Sequence, residues 1–396
     1  MNIKAFTVCD VVLWILFLFA LDLFDLAGLL LFFDIILFYS FYLQKIKFDY
    51  ISLLLIGFSL SYFFSVLFYE GTSYNTIMKY AIYPWACYVL GYNLIRIKKN
   101  LSVTGFSKII FLGFFLHGFF NLLASIIQYG IDFNNPFRLA WDFWQNRQIS
   151  VTTASLYYTP MVLWAVGSLF GNQKKESKVA SVLIISVGLF ATVLYQNRTL
   201  ILAGLVIVVT ALVFVTFDKN VSKKTKNKLF ACAGLAIVLL IVVWVTNIGG
   251  IRSLLENTSF FARLKDAKGQ SRTMIWKSFI FGDAWKYPFG GSKVSLYGNQ
   301  QFVHNTWLDI YRRTGFIPFL TFCVFTLASI KTIVRFKSCC NCEKNRLEDY
   351  QTLSLALIGV ACVFFVEPVM EANSYIFYLP VFVVGAINGR TSDKRK

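Results

Sequence analysis

"QNRTLILAGLVIVVTALVFVTFDKNVSKKTKNK", residues 196–228, decides what kind of chain this is. Residues 199–217 carry no ionisable side chain, and the loop that follows them is crowded with lysine. As a helix rising about 1.5 Å per residue, that run reaches about 28 Å, close to the thickness of a bilayer's hydrocarbon core. Continuous apolarity, rather than alternation, indicates a helix and not a barrel strand.

The same pattern recurs along all 396 residues, of which 57% are hydrophobic and only 15% charged. That balance is too apolar for a soluble domain to cover. The runs predict about twelve spans, at 8–24, 26–43, 50–69, 75–95, 104–130, 150–171, 178–195, 199–217, 229–249, 314–335, 351–368 and 373–389. The fold class expected is an all-α integral membrane protein, with spans in 1–249 and 314–396 and a long connection at 250–313. The N-terminus lacks a small-residue cleavage site and reads as a retained first helix.

Lys and Arg gather in "QKIKFD", "RIKKN", "NQKKESK", "DKNVSKKTKNK", "RFKSCCNCEKNR" and the tail "GRTSDKRK". All six fall on one side if both termini are cytoplasmic, as the positive-inside rule requires. Much of the net charge of +18 is then topology, and nucleic acid is not expected as a partner. Of the eight cysteines, Cys9, Cys87, Cys232, Cys323 and Cys362 fall in spans, and "CCNC" (339–342) lies in a cytoplasmic loop. No disulfide framework follows, and that loop lacks a fourth zinc ligand.

The opposite-side connections are 131–149, the tight turn "QNRT", and 250–313. The last is long enough to need a purpose. It carries ten Lys and Arg against four Asp and Glu, an excess of cations that suits an anionic partner outside the membrane. The glycines of "YPFGGSKVSLYGN" read as a flexible turn, and they neither follow a strand nor open a helix as a nucleotide loop would.

Arg198 and Asn197 stand where the helix starting at Thr199 turns its N-terminus outward. Free amides and a guanidinium together favour phosphate. Arg272 opens "SRTMIWKSFIF", whose apolar positions 274, 275, 278, 279 and 281 suit an interfacial helix, with Trp276 one turn on to pack a sugar or headgroup. Arg263 precedes it in the same loop.

His304 in "QFVHNTWLDIYRRTG" is one of two histidines and titrates near neutral pH when unperturbed. Asn305 caps the helix that begins "TWLDIYRRTG", and Asp309 is a candidate to orient the imidazole, although five residues away. His117, deep in the fifth span, reads as a hydrogen-bonded packing residue. Glu367 and Glu371 in "FVEPVMEANSY" can bind an arginine or supply a carboxylate. No Asp/Glu/His cluster has ligand spacing, so no metal or cofactor is expected.

In this order, arginine, Arg-x-x-x-Trp, Pro-x-Gly, His-Asn-x-x-Leu and Gly, residues 195–330 resemble the O-antigen ligase and polymerase superfamily. The chain departs from the usual glycine-flanked dipeptide after the His-Asn segment with Gly315-Phe316-Ile317-Pro318, a change affecting helix entry. The resemblance implies a metal-independent, inverting glycosyltransferase of the GT-C type in the inner (plasma) membrane, with its site on the external face. The donor it implies is an undecaprenyl-diphosphate-linked oligosaccharide. His304, Arg198 and Arg272 would be catalytic; Asn197, Arg263, Trp276, Asn305 and Glu367 would bind substrate.

A polymerase joining repeat units is the first expectation, with a glycan acceptor, the lipid bilayer and a chain-length regulator as partners. A ligase to lipid A core is the alternative. A transporter of lipid-linked sugars fits less well, because the charges gather at one face and the midplane is nearly bare.

Overall fold

The computed structural model of the chain describes residues 7–70, 77–133, 139–169, 175–217, 223–258, 261–262, 271–291, 294, 296, 301–340 and 344–393. A helix stands at every expected span: α1 Val8–Ala20, α2 Ala27–Tyr42, α3 Tyr50–Glu70, α4 Tyr83–Ile97, α5 Val103–Tyr129, α6 Val151–Leu169, α7 Lys175–Leu194 and α8 Thr199–Phe217. α9 Lys223–Thr246, α10 Ile251–Glu256, α11 Ser271–Ser278 and α12 Thr306–Thr314 follow. The chain closes with α13 Phe316–Cys340, α14 Lys344–Val366, α15 Val369–Ala372 and α16 Ser374–Asp393.

Among the described residues six helices are long and apolar enough to cross a membrane: Ala27–Lys45, Tyr50–Phe68, Val103–Tyr129, Glu176–Leu194, Thr199–Phe217 and Phe316–Lys337. Val8–Ala20 and Tyr350–Val366 are shorter apolar helices. Three other expected spans are helical but short or polar-interrupted: Asn93 and Arg96 lie in α4, Pro160 in α6, and Pro380 and Asn388 in α16. α9 is helical over Lys223–Thr246, and beyond its opening lysines residues 229–246 carry no charged side chain. On α8, Leu205, Val209 and Val213 recur every four residues and are all exposed. Leaving such a stripe in water costs about 25 cal/mol per Å², whereas hydrocarbon accepts it.

α4 packs closely against α16. Gly385 and Gly389, one turn apart, let the backbones touch: a Cβ at either would lie 2.2 Å from the carbonyl oxygen of Tyr88 or Tyr92. Gly91 approaches the Phe382 carbonyl in the same way, at 2.3 Å. Small residues at i and i+4 are how membrane helices pack without a hydrophobic drive.

Three features add to the expected bundle. The connection 131–149 contains a β-hairpin, β1 Leu139–Asp142 with β2 Arg147–Ser150, in the register Leu139↔Ser150. It docks on α5 because Trp141 N–H donates to Ser125 Oγ at 2.8 Å and Phe143 N–H to Asn121 Oδ1 at 2.9 Å. Next, the interior is not bare of ionisable groups. His117 is fully buried in α5, with Nδ1 2.9 Å from the Leu21 carbonyl and Nε2 3.5 Å from Asp142 Oδ2, and Asp34 is fully buried in α2. The packing role expected of His117 agrees with its Leu21 bond and the Tyr157 ring 4.0 Å away.

The third concerns the glycine-rich stretch, which is clamped rather than loose. Gly291 N–H donates to the Arg312 carbonyl at 2.9 Å, and Phe316 N–H donates to that of Pro288 at 2.8 Å. Gly315 (φ 87°) allows this, since a Cβ there would sit 2.6 Å from Phe289. Gly298, Arg263 and the last two residues of "CCNC" lie outside what is described. Pro318 falls in the first turn of α13, where no amide donor is needed.

Gly385→Ala should lower the melting temperature of the purified protein by several degrees, the cost of about 1–3 kcal/mol for overpacking. Gly57→Ala, with open space around the new methyl, should leave it unchanged. Equal melting of the two variants would remove the glycine seam from the account.

Candidate functional site

Local chemistry shapes the turn that carries His304. Asp309, in the first turn of α12, accepts hydrogen bonds from Val303 N–H at 2.6 Å and Asn305 N–H at 3.0 Å. The residues on either side of His304 are thereby fixed, and His304 takes φ 61°, a left-handed conformation that costs a non-glycine residue about 1–2 kcal/mol. Asn305 caps α12 as expected, accepting from Leu308 N–H at 3.1 Å. Asp309 therefore holds the backbone around the imidazole and does not orient the ring, since its carboxylate is committed to amides. Burial pushes its carboxyl up to about 6, against the lowering effect of those two amides.

The α12 N-terminus is stitched to the end of α14. Asn305 Nδ2 donates to the Phe365 carbonyl at 3.1 Å, and Thr306 Oγ1 donates to the Glu367 carbonyl at 3.0 Å. Trp276 of α11 donates its indole N–H to the Val303 carbonyl at 2.7 Å and packs edge-on to Phe365. Ile275 and Phe279, on α11 and the turn after it, are buried with Ala284, Val294, Leu296 and Val303 in a small separate core. Met274 and Phe281 are exposed instead. α11 thus spends part of its expected interfacial face on holding the His304 turn.

These contacts bring three distant segments to one carboxylate. Glu367 is 2% exposed, so its ligands matter. Its Oε1 accepts from Thr199 Oγ1 at 2.9 Å and from Arg272 Nη2 at 3.2 Å. Its Oε2 lies 3.8 Å from His304 Nδ1, an ion-pair distance longer than a hydrogen bond. Burial pushes the Glu367 carboxyl up, but His304, the Arg272 charge and the Thr199 hydroxyl outweigh it and hold it below the usual carboxylate range. It is therefore an anion at neutral pH.

Of the residues picked out by sequence, His304, Arg272 and Glu367 meet here. Arg198 is half-buried and adjoins the cluster through Thr199. Asn197 is buried, accepting from Thr199 N–H at 2.8 Å and donating to Ser155 Oγ, so it shapes the start of α8. Asn305 and Trp276 likewise make hydrogen bonds within their own chain. Glu371 binds Arg313 in a second buried pair, and Arg313 Nη1 also donates to Tyr80 at 3.0 Å. Arg263 lies outside the described residues.

Thr199 and Thr306 were missed. Thr199 directly follows Arg198, and its hydroxyl at a helix start was the available signal. Among the described residues no group of three or more His, Cys, Asp and Glu could hold a metal ion. No protein-family model matches the chain, and no curated protein matches it.

The pH dependence of this turn has a definite sign. Burial raises the Asp309 carboxyl above its unfolded value, so its contribution to stability is full below about 3.8 and fades as pH rises through about 6. The melting-temperature advantage of wild type over Asp309→Asn should shrink between pH 4 and 7. A difference that stays flat across that range would show that Asp309 does not titrate within the fold.

Proposed function

We propose that the chain is a membrane glycosyltransferase that polymerises undecaprenyl-diphosphate-linked oligosaccharide repeat units into a surface polysaccharide. One observation carries this reading: Thr199, Arg272, His304 and Glu367, drawn from four separate segments, meet at one end of the helical bundle. Thr199, Arg272 and His304 come from the same stretches that resemble the O-antigen ligase and polymerase superfamily, and Glu367 lies beyond them. In this reading all twelve helices span an inner membrane in a GT-C-type bundle, both termini are cytoplasmic, and the cluster faces outward.

Ionised Glu367 near Nδ1 favours the imidazole tautomer with hydrogen on that nitrogen, as carboxylates do for catalytic histidines. Nε2, on the far side of the ring, then has a lone pair for the acceptor. His304 takes the proton of an acceptor hydroxyl as its oxygen bonds to the anomeric carbon of the donor. The bond from that carbon to the diphosphate oxygen breaks, and its electron pair leaves with the diphosphate. Attack opposite the leaving group inverts the anomeric centre. The imidazolium afterwards loses its proton to solvent.

Arg272 keeps a third of its side chain exposed while one nitrogen rests on Glu367. With Arg198 beyond Thr199 it supplies charge for the departing diphosphate, and fixed charge in a site that excludes water is worth more than in solution. Glu367 keeps the local sum from being purely cationic and so positions Arg272 rather than binding sugar. Transfer to a lipid A core by a ligase uses the same groups and differs only in the acceptor.

His304→Ala should slow transfer by purified enzyme in nanodiscs by ~10²–10⁴-fold, the usual worth of a positioned base, with the folded yield unchanged. Arg198→Lys should be nearly as damaging as Arg198→Ala if planar bidentate recognition matters. Polymer of normal length from the His304 variant would end the catalytic assignment. A deletion strain that accumulates single repeat units on the surface acceptor supports the polymerase, and long chains left on the carrier support the ligase.

A further inference from the structure

Residues 279–291, which follow α11, have two faces. The inner face is fixed to the bundle: Phe279 packs edge-on to Tyr311 with ring centres 5.7 Å apart, and the Tyr311 hydroxyl donates to the Ala284 carbonyl at 2.6 Å. Gly291 N–H donates to the Arg312 carbonyl and Phe316 N–H to that of Pro288, so the segment is also tied to the end of α12 and the start of α13. On the outer face Phe281 and Trp285, one helical turn apart, are each 79% exposed, and Phe289 is 72% exposed. Rings left out of a segment this firmly held are not a sign of loose packing, and a contiguous apolar patch of this kind marks an interaction surface.

What covers the rings follows from the helix beside them. α13 is long and apolar enough to cross a membrane, and Ile317, Leu320, Val324 and Leu327 form an exposed apolar stripe along it at helical spacing. Phe289 lies directly against its first turn, since a Cβ on Gly315 would sit 2.6 Å from the Phe289 backbone. The patch therefore adjoins the end of a surface that hydrocarbon covers, the level at which aromatic side chains are favoured. Lys277, one turn before Phe281, and Lys286, next to Trp285, are both exposed. Their ammonium groups suit lipid phosphates while their stems lie along apolar surface.

We infer that Phe281, Trp285 and Phe289 are seated in the leaflet where α13 begins, so that the partner of this surface is the headgroup and upper acyl region of phospholipid. The membrane face expected within 274–281 is thereby moved along the chain, because Ile275 and Phe279 are turned into the small separate core. α11 packs through that same core, so the depth of the rings in the leaflet sets the depth of Arg272 and of the Glu367 carboxylate it binds. The inference does not use the transferase reading, and it holds or fails whatever reaction the cluster performs.

Photolabelling of the whole chain in phospholipid nanodiscs tests this with two probes, a phospholipid carrying a diazirine near its carbonyl groups and a water-soluble diazirine. Lipid adducts should appear on Phe281, Trp285 and Phe289. The soluble probe should label those three several-fold less than Arg147 and Gln148 of β2, which are also exposed. Absence of lipid adducts, or labelling by the soluble probe equal to that of β2, overturns the assignment. Crosslinks between two copies through Trp285 that exclude the lipid probe overturn it too, in favour of a second copy. Trp285→Phe should keep the lipid adducts on Phe281 and Phe289. Phe281→Glu combined with Trp285→Glu should remove them from Phe289 by lifting the segment, while a lipid with its diazirine at the chain end still labels Leu327 in α13. Undiminished lipid adducts on Phe289 in that double variant would show that the rings do not seat the segment.

Discussion

A carboxylate taken out of water must be repaid by its neighbours, and Glu367 shows how much structure that demand can organise. Its oxygens are met by a hydroxyl from the start of α8, a guanidinium from α11 and an imidazole from the turn before α12. Removing the Arg272 guanidinium would leave the buried carboxylate without its opposite charge. The arrangement is thus a restraint on four chain segments as well as a site. The left-handed backbone at His304 persists because Asp309, Trp276 and Asn305 all hold its neighbours.

The bundle around it is held at more than one place. Glycine contact packs α4 closely on α16, and the same seam carries the Tyr88 hydroxyl donating to Asp49 Oδ2 at 3.0 Å and Asn93 Nδ2 donating to the Lys47 carbonyl at 3.0 Å. A second buried network stands at the hairpin, where the Leu21 carbonyl faces both His117 Nδ1 and the Trp144 indole N–H, at 2.9 and 3.0 Å. There Asp142 also accepts from the amides of Trp144 and Gln145. Burial pushes the Asp142 carboxyl up, but His117 and these amides hold it below its usual range. This network ties the α1–α2 turn to the hairpin, and it explains a buried histidine that the proposed reaction does not use.

Several elements were legible in the chain itself. Residues 199–217 form a helix with the predicted limits, because an uninterrupted apolar run and a polar residue at each end are local properties. Asn305 as a cap and the helix 306–314 were equally readable, since capping acts over three residues. The hairpin at 139–150 escaped notice because its strands are short and one face only partly buried. The two amides that Asp309 accepts from, at Val303 and Asn305, were not read, because type and spacing do not say which partner a polar group will satisfy.

Sequence by itself determined the helices, their apolar character and the few charged residues worth attention, through hydrophobic transfer and hydrogen bonding between near neighbours. Tertiary structure alone decided that Glu367 would be the meeting point, since Thr199 and Arg272 lie 168 and 95 residues away along the chain. That meeting depends on how helices pack, and packing is settled by the fit of whole surfaces, which no local pattern encodes.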